Sequence, residues 1–135
     1  MKIPYMANLP SIPDLHDGFF DGVWLSDKKC ACLFVRTENG ERSTILLTNV
    51  AALNIRNLRQ GNIIFEVVLI APDALSIEQV NQAHDLGHER EEVSRRLLEK
   101  AQQQRLCALV MSTSYGAEGT VLFQTAKVVP GHILE

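Results

Sequence analysis

Apolar residues fall in short runs through the first half of the chain and at helical spacing through much of the second, ahead of two further strand-length runs. The densest run is Gly61 to Ile70, GNIIFEVVLI, in which Glu66 is the only charge. Strict alternation places Ile63, Phe65, Val67 and Leu69 on one face and Ile64, Glu66, Val68 and Ile70 on the other. Both faces are apolar, so this central strand is expected to be covered on both sides, by a sheet folding over itself or by a second copy of the chain. A carboxylate at Glu66 should then be paired, lie at an edge, or face a cavity.

Four strand-length runs precede it: Phe19 to Leu25, Cys30 to Thr37, Ser43 to Thr48 and Val50 to Arg56. Asn39-Gly40 between the second and third marks a tight hairpin, because the favoured turn needs positive φ at both central residues. The fourth run loses alternation near Ala51 and Ala52, which predicts a bulge. Ahead of them, residues 1–18 carry Pro4, Pro10 and Pro13 and read as an extended arm. Tyr5, Met6, Leu9 and Ile12 give that arm apolar points of attachment.

Beyond Ala71-Pro72-Asp73, the string Ser76-Ile77-Glu78-Gln79 has the form of a capping box. Helical patterning runs from there to Gln104, with a weak point at Gly87, so the segment 76–104 is predicted as one long or kinked helix or as two, the single helix being taken for the fold class. Val93, Leu97, Leu98 and Ala101 form its apolar stripe, and Glu91 to Arg95 and Glu92 to Arg96 are spaced for ion pairs. Leu106 to Thr113 and Thr120 to Val129, joined by a glycine-bearing loop, predict a closing hairpin. The expected fold class is α+β, mainly antiparallel β, with about seven strands in a sandwich or strongly curved sheet and the helix packed on it. A chain of 135 residues makes one domain, 1–135, the economical assumption.

Composition narrows the function classes more than it identifies one. A net charge of -3 argues against a nucleic-acid footprint, and no apolar run approaches the roughly 18 residues of a membrane span. Residues 1–15 lack the apolar core of a secretory signal, which favours the cytoplasm. Cys30, Cys32 and Cys107 are an odd set and read as small reduced hydrophobes.

The most pointed local string is His84-Asp85-Leu86-Gly87-His88, which has the H-x-x-x-H spacing of a zinc-hydrolase helix with Asp in the place of the usual Glu. Asp is a methylene short for the general base, no third histidine follows at the right spacing, and Gly87 interrupts the helix. His84 and His88 therefore stay weak metal candidates, and no cofactor is assigned. His16-Asp17 and His84-Asp85 do not make a His-Asp phosphohydrolase in a chain this rich in strands. The hydroxyl-rich loop 112–120 lacks the lysine and following helix of a phosphate loop.

Arg36, Arg42, Arg56 and Arg59 lie near strand ends, where they are expected to form a patch for an acidic partner. Of these, Arg36, Arg56 and Arg59 are carried forward as candidate binding residues. Trp24, the single tryptophan, is expected as a core anchor, with an interface hot spot as the sharper alternative. The leading functional expectation is a non-enzymatic interaction or ligand-binding domain, immunity- or adaptor-like, forming homo-oligomers or engaging a protein partner and not nucleic acid or membrane. The alternative is a metal-dependent hydrolase built on His84 and His88.

Overall fold

The computed structural model describes residues 9–87 and 90–133. Eight strands form one antiparallel sheet in the order β4-β7-β6-β5-β1-β2-β3-β8. The strands are β1 Phe19–Leu25, β2 Ala31–Arg36, β3 Arg42–Thr48, β4 Ala52–Arg56, β5 Asn62–Ile70, β6 Cys107–Tyr115, β7 Glu118–Phe123 and β8 Thr125–Pro130. Two helices, α1 Ile77–His84 and α2 Glu91–Gln103, lie between β5 and β6, after a short 3-10 turn at Pro72–Ala74. Among the described residues no helix is long and apolar enough to cross a membrane.

The two ends of the strand order are joined by the chain itself, which is why the sheet curves so strongly. β3 runs into β4 through residues 49–51, and β7 runs into β8 through Gln124, so two long strands each bend and serve both ends of the sheet. The bends meet. Asn49, held at φ 52, donates its side-chain amide to Gln124 Oε1 at 2.8 Å, and the Gln124 amide donates to the Gln104 carbonyl at the end of α2 at 2.9 Å. Gln124 N–H continues the ladder to Thr48 O at 3.0 Å. This corner divides the expected single strand 120–129 into β7 and β8, so the sheet has eight strands where the pattern predicts about seven.

Curvature creates two apolar layers. Phe20, Leu33, Val35, Ile45, Leu47, Ile64, Leu109, Val121 and Phe123 fill the interior between the two halves of the sheet, joined by Leu15 from the arm. Leu75, Val80, Ala83, Ala101, Leu106, Ala108 and Leu122 form the second layer, beneath α1 and α2. Within the arm, Asp17 N–H donates to Ile64 O and Ile64 N–H to Gly18 O, both at 2.9 Å, extending β5's pairing for a short distance. Tyr5 and Met6 of the arm lie outside the described residues.

Three expectations change here. The central strand does not keep one alternation: its register against β6 shifts between Ile63 and Ile64 and again between Ile64 and Glu66. Ile64, Val67 and Leu69 therefore reach the interior together, while Phe65 is 49% and Val68 38% exposed. The outer face of β5 is thus only partly covered, and Glu66 lies exposed upon it.

The helical segment is two helices, not one. Asp85 takes a left-handed φ of 56 directly after His84, and the Asp85 and Leu86 N–H groups fold back onto the last carbonyls of α1. Gln79 Oε1 accepts the Ser76 N–H at 2.7 Å, so the start of α1 falls where the capping pattern places it. On α2, Leu97, Leu98 and Ala101 pack inward, whereas Val93 is exposed and Ser94 is buried in its place against Asn81 of α1. Glu92 and Arg96 form the anticipated ion pair at 3.6 Å on the solvent side.

Trp24 is the third change. Its side chain stands on the outer face of β1, 36% exposed, because its neighbour Val23 takes the interior position. Cys32 and Cys107 are buried and Cys30 is half-buried. Burial pushes the Cys107 thiol above its ordinary pKa, consistent with a packing role.

Candidate functional site

A polar concavity lies where α1 meets the outer face of β4 and β7. Alternation along β4 sends Leu53 and Ile55 into the interior and turns Asn54 and Arg56 outward. On β7 it sends Val121 inward and leaves Thr120 facing the helix. α1 sits over this surface on Val80 and Ala83, and its next face brings Glu78, Asn81, Gln82 and Asp85 to the rim. The result is a groove of about 490 Å³ on the helix side, continuing into about 140 Å³ between strands, with Asn54, Arg56 and Gln82 lining both parts.

Its polar groups are cross-braced. Asn54 Nδ2 donates to the Gln82 carbonyl at 2.8 Å, and Thr120 Oγ1 donates to Gln82 Oε1 at 3.0 Å, so the helix is fixed to both strands through a single residue. From behind, the Ser94 hydroxyl of α2 donates to Asn81 Oδ1. Arg56 reaches Glu118 across the strand pair at 3.5 Å, with its side chain still 58% exposed. Glu78, Asp85 and Glu118 against Arg56 make three carboxylates to one guanidinium, a net of -2 along the rim. The braced amides and Thr120 hydroxyl leave spare donors and acceptors in fixed positions, which is the equipment of a recognition surface.

The sequence-derived candidates do not gather in one place. Arg56 is in the groove. Arg59 lies in the β4–β5 loop, where its backbone N–H and carbonyl both bond Asn62. Arg36 stands on the outer face of β2, bound by two hydrogen bonds of 2.7 and 3.0 Å to Asp21 and stacked 4.5 Å from the Phe19 ring centre. That bidentate bond raises its pKa, and with both acceptor oxygens of Asp21 engaged it is a structural pair, not an open anion seat. His132 completes the cluster by donating Nε2–H to Val35 O at 3.0 Å, 5.4 Å from the Phe34 ring. Arg42 is the cross-strand neighbour of Arg36, so the expected patch is divided between two separate surfaces.

His84 faces a different hollow, lined by Lys29, Val50, Leu97 and Lys100. Burial lowers its pKa, and the two lysines make the hollow basic, a poor setting for a cation. His88 lies outside the described residues, and among the described residues no group of three or more His, Cys, Asp or Glu is placed to hold a metal.

The exposed His16 differs: Nδ1–H donates to Phe65 O at 2.9 Å and Nε2 lies 3.5 Å from Asp17, so its pKa is raised, first by the backbone bond and then by Asp17. The two histidines should titrate on opposite sides of 6.5 in an NMR titration. The sign follows from linkage: His16 stabilises the fold below its unfolded pKa and loses that contribution as pH rises through the folded value. His84 favours the fold above 6.5 and disfavours it as pH falls below that value. A His84 midpoint at or above 6.5 would contradict this assignment of its surroundings.

Asn54 and Gln82 belong to no motif, and Thr120 enters the sequence reading only as the last residue of the hydroxyl-rich loop 112–120. The available signal for Asn54 and Thr120 was their position, polar side chains on outward-facing strand positions beneath a helix that should have demanded apolar ones, and Gln82 is the polar residue that this helix sets over them. Comparisons with protein-family models, with curated proteins and with solved structures find no match to this chain.

Proposed function

We propose that this protein is a non-enzymatic binding module, immunity- or adaptor-like, that holds a basic, polar segment of a protein partner in the groove between α1 and the β4–β7 strands. The observation that carries the reading is the braced set Asn54, Gln82 and Thr120 at the floor of a rim with net charge -2. Fixed neutral donors and acceptors recognise a polar chain without reorganising, and the surplus carboxylates favour cationic side chains along it. The Thr120 hydroxyl donates its proton to the Gln82 amide oxygen, which is not a general base, so the bonding seen there is that of a brace and not of an activated nucleophile.

The test uses two synthetic peptides of equal length, one lysine-rich and one glutamate-rich, titrated into labelled protein. The lysine-rich peptide is expected to shift the side-chain amide signals of Asn54 and Gln82. Glu118→Lys is expected to weaken that binding by about tenfold, because reversing a rim charge replaces attraction with repulsion. Shifts confined to the outer face of β1, or a preference for the acidic peptide, would overturn the reading.

A further inference from the structure

The edge of β1 offers a second surface, independent of the groove. β1 pairs with β2 over its whole length, but with β5 only at Phe19 and Phe20. Among the described residues no strand lies on the other side of its remaining half. The ladder fixes which backbone groups point there. Ser26 N–H bonds Cys30 O in the turn, and the register continues as Leu25 opposite Ala31, Trp24 opposite Cys32 and Val23 opposite Leu33. Hydrogen-bonded pairs alternate along an antiparallel ladder, so Trp24 exchanges its bonds with Cys32. The N–H and C=O groups of Val23 and Leu25 point away from β2 toward the unpaired side.

Other edges in this fold are protected. β8 carries Lys127 and ends in Pro130, and β4 lies under α1 with its outward residues committed to the groove. Lysine, proline and covering helices are the usual defences of a strand edge. The segment Gly22-Val23-Trp24-Leu25 has none of them, and it exposes Leu25 to 56% and Trp24 to 36%.

We propose that this edge is a self-association site, at which a second copy of the chain pairs with it antiparallel about a two-fold axis through Trp24. The register is self-complementary. Val23 of one copy meets Leu25 of the other, and Leu25 meets Val23, so the four unpaired groups of each copy satisfy one another. Trp24 opposes its own equivalent as a non-hydrogen-bonded pair, at a Cα separation of about 4.5 Å. The two indoles then lie side by side on the outer face and shield each other, as an isologous interface requires. The half-sheets β8-β3-β2-β1 of the two copies become one continuous sheet across the axis.

The chain contains one tryptophan, so the site reports on itself. Mass by sedimentation equilibrium should rise with concentration from one chain of 15.1 kDa toward two, and Trp24 emission should move to shorter wavelength over the same range. Two variants are placed on the free side of the strand. Val23→Pro removes an N–H that makes no bond to β2, and Leu25→Lys adds an edge charge. Each should weaken association by about tenfold or more, and Leu25→Lys, at a side chain 56% exposed, should leave far-UV circular dichroism unchanged. A protein that remains monomeric up to its solubility limit overturns the proposal. So does a dimer whose Trp24 emission is insensitive to dilution, or one that Leu25→Lys leaves intact.

Discussion

Asn62→Ala should lower unfolding stability by about 3 kcal/mol or more, enough to consume a large part of the roughly 5–15 kcal/mol typical of a domain. Asn62 is 3% exposed and sits at the start of β5, where four hydrogen bonds converge on its side chain. Its Oδ1 accepts the N–H of Arg59 at 2.8 Å and of Ala117 at 2.9 Å. Its Nδ2 donates to the carbonyls of Phe20 at 3.1 Å and Arg59 at 2.7 Å. One amide thereby ties the β4–β5 loop, β1 and the β6–β7 turn together. Truncation strands four backbone groups, of which Ala117 N and Phe20 O are the most deeply buried, and each buried orphan costs about 1–3 kcal/mol. Gly116 is shaped around the same side chain: at φ 93, a Cβ there would lie 2.2 Å from Asn62 Oδ1. Urea unfolding of Asn62→Ala and of the milder Asn62→Ser measures the effect. A loss below about 1 kcal/mol in Asn62→Ala, within the range of an ordinary single hydrogen bond, would remove the hub role.

That residue also marks the limit of what the sequence discloses. Asn62 reads locally as loop punctuation before an apolar run, because the bonds that define it come from residues 42 and 55 positions away. The local signals are reliable where one segment decides its own conformation: the start of α1 at Ser76, and the strand character of Phe19 to Leu25 and Gly61 to Ile70. The Asn39-Gly40 hairpin also forms, but through a loop in which Gly40 alone, at φ 93, takes the positive φ expected of both residues. Local signals fail where conformation is settled at long range. Nothing around Gln124 announces a corner, since the corner exists because Asn49 and Gln104 meet it there. The alternation read along β5 is overturned by its register against β6, a property of two strands together. As the single tryptophan, Trp24 is expected as a core anchor or as an interface residue, and its neighbour Val23 holds the interior position instead.

The groove was half legible. Arg56 came forward as a charged residue near a strand end, while Asn54 and Gln82 carry no motif and become meaningful only when α1 is laid across β4 and β7. Arg36 came forward on the same grounds as Arg56, and it proves to be engaged with Asp21. Charge alone could not separate an exposed arginine in a single long ion pair, as Arg56 is with Glu118, from one bound through two short hydrogen bonds.

Gly119→Ala should damage fold and groove together, which makes it the sharper probe of how the two are connected. Gly119 lies on β7 opposite Ile55 of β4, and an added Cβ there would meet Asn54 O at 2.3 Å, Ile55 Cα at 2.8 Å and the Ile55 side chain at 2.9 Å. Two of those three atoms are backbone, so no rotamer change relieves the contact and β4 must move away from β7. Overpacking of this kind costs about 1–3 kcal/mol, and the backbone character of the clash places the expected loss at the upper end. The displacement also acts on the groove, because Asn54 moves with β4 while Thr120 stays with β7, and both are bonded to Gln82. The folded fraction of Gly119→Ala should therefore show shifted side-chain amide signals for Asn54 and Gln82 and weaker binding of the lysine-rich peptide, while the emission of the distant Trp24 is unchanged. Normal stability in this variant would mean that β4 is not held against β7 as described. Reduced stability with undiminished peptide binding would place the recognition surface elsewhere on the molecule.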